Sequence, residues 1–216
     1  MATTVKKPGG QAAKTVKPAP LARLNAVMPW LLIACGIVGL IASLVLAYDQ
    51  VQIWKNPTYQ PACNLNPLIS CGSVITSGKG EIGHIPGPIF GLLVFPVVIT
   101  IGVSILAGAK FKRWFWQGLQ LGATAGIFFA LWMFWVALFQ IHALCPFCLA
   151  TDVAMYVLFW YVSLHNLQQE HIKTPSWLAR ATDFCLRHHL DVLVTWFLVL
   201  TAYTLYHFWY YFGQHL

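Results

Sequence analysis

Five apolar runs, at residues 28–47, 89–107, 116–139, 145–164 and 192–212, constrain this chain more than any motif in it. Each matches the roughly 20 residues that an α-helix needs to cross a bilayer's hydrocarbon core. Within lipid a backbone must satisfy its own polar groups, so runs of this kind fold as helices. Composition agrees: 58% of residues are hydrophobic and only 9% charged, against about 25% charged in soluble domains. The expectation is an all-α integral membrane protein with five transmembrane helices.

The remaining segments organise around these spans. Residues 1–25, rich in Lys, Ala, Thr, Pro and Gly, read as a disordered tail. Residues 26–164 form a four-helix unit, residues 165–190 a polar connection with room for a short surface helix, and residues 191–216 the fifth helix with a short end. Within the unit, the loop at 49–88 is broken by Pro57, Pro61, Pro67, Pro86 and Pro88. A connection of that length inside a compact unit points to function.

Net charge is +7, but the basic residues are scattered between apolar runs and form no patch of the kind that grips nucleic acid. They set orientation instead. The first tail (Lys6, Lys7, Lys14, Lys17, Arg23), the connection after the second span (Lys110, Lys112, Arg113) and the connection after the fourth (Lys173, Arg180, Arg187) alternate with a side holding only Lys55 and Lys79. Positive charge marks the cytoplasmic side. The N-terminus is therefore expected inside and the C-terminus outside, with Cys63, Cys71, Cys145 and Cys148 on the outer side, where disulfides persist. Cys35 falls within a span and Cys185 in a cytoplasmic connection, and both read as inert thiols.

Cys145-Pro146-Phe147-Cys148 opens the fourth apolar run. With Cys145 near the N-cap, Pro146 takes the first helical position, where its missing N–H costs nothing. Both thiols then sit at a helix N-terminus, which favours a thiolate. A Cys-x-x-Cys outside a zinc pattern reads as redox chemistry. A structural disulfide and half of a four-thiolate zinc site are the alternatives; the seven residues between Cys63 and Cys71 do not suit the usual zinc hairpin.

The combination resembles the vitamin K epoxide reductase family. The residues that carry the likeness are Cys63 and Cys71 in the long loop, the following Gly72-Ser73-Val74-Ile75-Thr76-Ser77, Ile85-Pro86-Gly87-Pro88-Ile89-Phe90-Gly91 opening the second span, and Cys145-Pro146-Phe147-Cys148 opening the fourth. The likeness covers about residues 28–164. It implies a four-helix bundle around a quinone plus one additional helix, with Cys63, Cys71, Cys145 and Cys148 catalytic and no metal. It further implies, for a bacterial member in the plasma membrane, oxidation of an extracytoplasmic thioredoxin-like protein and reduction of menaquinone or ubiquinone. As the chain offers no thioredoxin-like domain after the fourth helix, that partner is expected to be a separate protein. Cys63 would be attacked first and Cys71 would relay to Cys145, leaving Cys148 against the quinone. Ser77, Gly87, Phe90 and Asp152 are the residues the likeness places beside the ring, and Ser77 reads equally as a loop-capping hydroxyl.

Two of these depart from the family pattern: Gly87 stands where many relatives carry an Asn, and Asp152 where vertebrate members carry a Tyr. Asp152 shares a helix face with both thiols, four residues beyond Cys148 and seven beyond Cys145. An acid inside a span belongs in the bundle interior or a wet cavity. It reads either as a proton donor to the reduced quinone or as an interfacial acid satisfied locally. His84 and His142 read as proton shuttles or as ordinary interfacial side chains. The aromatic run Phe128, Phe129, Trp132, Phe134 and Trp135 reads as pocket wall or as lipid contact. A non-enzymatic transporter component or scaffold whose loop is stapled by disulfides is the competing function, and within the enzyme class the resemblance leaves vitamin K epoxide or quinone reduction as a variant.

Overall fold

The computed structural model describes residues 19–83, 85–169 and 184–213. In chain order these form α1 (Ala19–Lys55), a short α2 (Cys71–Thr76) and a hairpin of β1 (Glu81–Ile82) with β2 (Ile85–Pro86), then α3 (Gly87–Leu106), α4 (Arg113–Val136), α5 (Pro146–Gln168) and α6 (His189–Gly213). α4 continues as a π-helix at Ala137–Ile141. The long helices α1, α3, α4, α5 and α6 are apolar and long enough to cross a membrane. The protein is an all-α multi-pass membrane protein, and the small hairpin among the described residues pairs Glu81 with Pro86 and Ile82 with Ile85.

α1 differs from its expected bounds at both ends. It begins at Ala19, inside the expected tail, and runs on to Lys55, inside the expected loop. Residues 48–55 contain no Gly or Pro, and polar side chains there do not break a helix when they have buried partners. Asp49 and Gln50 are both buried. The expected disorder of residues 1–18 and most of the short surface helix expected within 165–190 fall outside the described residues; among those described, a helical turn at 184–187 precedes α6.

α1 lies at the centre of the bundle and packs along both α3 and α5, while α4 packs along α5; α3 and α4 make no substantial contact. The close approach of α1 and α3 rests on small residues, as it does wherever apolar helices associate in lipid. A Cβ on Gly102 would lie 2.9 Å from the Pro29 carbonyl oxygen, and one on Gly39 would enter the Phe95 ring. Gly39→Leu should therefore destabilise the bundle by about 1–3 kcal/mol, seen as a lower unfolding midpoint in detergent; an unchanged midpoint would show that α1 and α3 separate freely.

The main core, with Met28, Leu32, Phe95, Trp116 and Leu164, fills the end of the bundle away from the cysteine loop. At the other end Cys63, Cys71 and Cys145 are buried together with Leu46 and Val74. α6 is mostly exposed in its spanning part. It is anchored at its ends by the Trp160 indole donating to the His189 carbonyl and by Phe208 packing on Leu68 and Leu138.

Candidate active site

The loop after α1 is folded by its own polar side chains. Asn66 accepts from the backbone N–H groups of Leu68 and Ile69, making a tight local turn. Ser70 then caps α2 by accepting from the Ser73 N–H, a contact worth about 1 kcal/mol. Asn64 accepts from Gly72 N–H and Ser70 Oγ. These bonds leave Cys71 as the first residue of α2, fully buried.

A second set of backbone bonds brings the two halves of the chain together. Ser70 N–H donates to the Leu144 carbonyl and Leu144 N–H to the Leu68 carbonyl, a one-residue parallel bridge. Cys145 follows immediately. Its sulfur stands 3.3 Å from that of Cys71, which is itself disulfide-bonded to Cys63. Cys145 and Cys148 are free thiols.

Cys145 is the N-cap of α5 and Pro146 its first residue. The Cys145 sulfur accepts from the Cys148 N–H at 3.2 Å, taking the place of a capping oxygen. Hydrogen bonding from the Cys148 thiol is the largest influence on Cys145 and holds its pKa below the usual thiol value of 9.0, with the backbone N–H groups of Cys148 and Phe147 adding to it. Burial and the Asp49 charge oppose this without reversing it. A lowered pKa means the thiolate survives to lower pH, so iodoacetamide labelling of Cys145 should follow a curve displaced to the acid side of an ordinary thiol. Mass spectrometry of the labelled peptide reads the displacement.

Cys148 also lines a cavity of about 400 Å³ between α1, α3, α4 and α5, bordered on the loop side by α2 and the hairpin. The walls are overwhelmingly apolar, including Leu46, Phe90, Phe95, Phe129 and Met133. Its few polar side chains include Gln50, Thr151 and Asp152. The cavity occupies the gap that α3 and α4 leave, where Gly122, Ala125 and Gly126 line one side. A Cβ on Gly122 would meet nothing within 4 Å.

Comparison with known protein families matches residues 30–163 to the vitamin K epoxide reductase family. The chain belongs to that family. Membership makes it a membrane oxidoreductase, and the matched stretch holds all four thiols of the two pairs.

Of the residues expected beside the ring, Gly87, Phe90 and Asp152 line the cavity. Ser77 is not among the lining residues; its hydroxyl donates to the Val74 carbonyl at the end of α2 and accepts from Lys79 N–H, so the structure gives it the local capping role. Gly87 has a reason to lack a side chain: a Cβ there would sit 2.9 Å from the Gly80 carbonyl oxygen, the acceptor of Gly87's own N–H. Of the aromatic run only Phe129 lines the cavity, while Phe128, Trp132 and Trp135 are exposed. His142, in the left-handed conformation that ends the π-helix, is exposed and stacks on His207. His84 lies outside the described residues. Cys35 and Cys185 pack against the main core, away from the other thiols.

Two features escaped sequence reasoning. Asp49 is buried beside Cys63, its carboxyl 4.0 Å from the sulfur; it was hidden because polarity at Tyr48-Asp49-Gln50 looks like a helix end. The second is α6, which lies beyond the matched family residues yet braces the thiol end. His207 Nε2 lies 3.0 Å from the Leu138 carbonyl within the π-helix, and Phe208 packs on Leu138 beside Leu144.

Proposed function

We propose that the protein oxidises an extracytoplasmic thioredoxin-like protein and delivers the electrons, through Cys63–Cys71 and then Cys145–Cys148, to a membrane quinone, so supporting disulfide bond formation. One observation carries the reading: Cys71 and Cys145 sit at exchange distance, and Cys148, three residues further on, opens to an apolar cavity. The distribution of basic residues supports an orientation with this end on the extracytoplasmic side.

Each sulfur has a part set by its place. Cys63 is the less deeply buried of the loop pair and takes the partner's thiolate. Cys71, released, attacks Cys145 across the 3.3 Å gap when Cys145 and Cys148 are oxidised. Cys148 leaves as a thiolate at the N-terminus of α5, where the helix dipole and unpaired N–H groups stabilise it. The cavity suits a quinone ring by volume and apolarity, and the quinone supplies a two-electron acceptor. Phe90 and Phe129 are placed to hold a flat ring, and the α3–α4 gap gives an apolar tail a way to the lipid.

The test uses purified protein, a reduced thioredoxin-fold protein as dithiol, and menaquinone and ubiquinone analogues, followed by quinone absorbance. Quinone-dependent turnover that requires the dithiol supports the reading. No turnover with either acceptor, together with disulfides that resist exchange, would replace it with a protein stapled by inert disulfides.

A further inference from the structure

Asp49, near the end of α1, is an acid 4% exposed. One carboxyl oxygen accepts from the Tyr59 hydroxyl at 3.1 Å, and the other lies 4.0 Å from the Cys63 sulfur. Tyr59 and Cys63 come from the loop, and Cys145 at the start of α5 feels the Asp49 charge. These are the titratable groups that face Asp49 from neighbouring elements; Tyr48 adjoins it on its own helix. Among the described residues no cation forms an ion pair with it.

An acid buried without a cation is expensive and needs compensation. One tyrosine hydroxyl gives a single hydrogen bond. The second oxygen is turned instead toward a sulfur that must gain and lose a proton if the loop pair exchanges. We propose that Asp49 carries the proton of Cys63 during exchange, with Tyr59 as the positioning residue that aims its carboxyl. This rests on the relay proposed above and adds a proton path to it.

The steps balance. The partner's thiolate bonds to Cys63 and the Cys63–Cys71 bond breaks, its electron pair leaving on Cys71. The partner's second thiolate then attacks the partner sulfur; the bond to Cys63 breaks, and Cys63 takes the electron pair and a proton from water. Cys71 meanwhile bonds to Cys145 and expels Cys148 as a thiolate. To close the cycle Cys63 gives its proton to the Asp49 carboxylate and attacks Cys71. The Cys63–Cys71 bond forms again and Cys145 leaves with the electron pair. Two electrons have moved from the partner to Cys145 and Cys148, the partner is left oxidised, and Asp49 returns the proton to water and ends as the carboxylate it began as.

Full-length protein is assayed with reduced thioredoxin as the dithiol and menadione as acceptor, across pH 6 to 9. A protein dithiol is chosen because it is too large to bypass the loop. Asp49→Asn should lower turnover about tenfold near pH 6, the loss shrinking as pH approaches that at which a thiol ionises unaided, about 8.5. Asp49→Glu should recover much of the rate. Tyr59→Phe, at a partly exposed position that threatens folding less, should give a smaller loss with the same pH trend.

Wild-type turnover matched by Asp49→Asn at every pH would overturn the role of Asp49 and leave the relay standing. A loss of equal size at all pH values, or one that Glu does not relieve, would also overturn it, since that is how a merely structural defect behaves. No turnover in the wild type would remove the relay itself. If Asp49→Asn fails to fold, Tyr59→Phe decides, and a pH profile identical to wild type would then refute the proposal.

Discussion

Cys148→Ala should abolish quinone reduction, by about a thousandfold or more, and leave a diagnostic trapped species. Cys148 is the thiol of the four that opens to the large cavity, so without it no sulfur reaches an acceptor there. A covalent route that loses its nucleophile falls back on whatever binding and the surrounding dipoles provide, which is usually orders of magnitude slower. Cys145, no longer able to close on Cys148, still lies 3.3 Å from Cys71. Its thiolate then attacks Cys71 and Cys63 departs with the electron pair, a redox-neutral exchange that needs no oxidant. Non-reducing peptide mapping should find Cys71 joined to Cys145 and Cys63 free to alkylate. Full quinone reduction by Cys148→Ala would refute the assignment of the terminal sulfur.

The local half of this site is legible in the sequence. Pro146 at the first helical position and two thiols at a helix start follow from spacing alone, and the structure shows Cys145 capping α5 with its own sulfur. The meeting of Cys71 with Cys145 is not legible. It depends on Leu68 and Ser70 pairing with Leu144, backbone bonds between two irregular segments far apart in the chain, and backbone pairing of loops leaves no periodic trace. Ser77 is a local case as well. A hydroxyl just after a short helix has a carbonyl of its own within reach and bonds to it.

Helix ends mislead for a related reason. Hydropathy registers where lipid contact stops, whereas a helix stops where backbone bonding fails. α1 continues past Ala47 because its polar residues turn inward: Gln50 lines the cavity and Asp49 faces the loop disulfide. The extra turns carry these two side chains into the site. Gly87 was legible as a departure from its relatives, but its cause, the Gly80 carbonyl opposite, belongs to the hairpin that β1 and β2 form.

Asp152→Asn should slow quinone turnover by about a hundredfold while leaving thiol exchange intact. Reducing a quinone by two electrons also takes two protons, and the cavity is walled mainly by groups that cannot supply them. Asp152 stands one helical turn beyond Cys148, 8% exposed, with its carboxyl at the cavity. Among the described residues no hydrogen bond ties that carboxyl down. One turn further, the Tyr156 hydroxyl is also buried without a partner, so two groups able to hold a proton succeed one another along α5. An ionisable side chain kept in such surroundings is costly and is retained for what it does. Asn keeps the size and polarity of Asp but cannot pass a proton on. Rapid mixing separates the two stages: Cys71–Cys145 exchange should proceed at the wild-type rate in the variant, with the defect confined to quinone absorbance. Wild-type quinone turnover in Asp152→Asn would show that the protons reach the ring by another route, of which Gln50, Glu81 and Thr151, polar side chains elsewhere in the wall, mark the directions to follow.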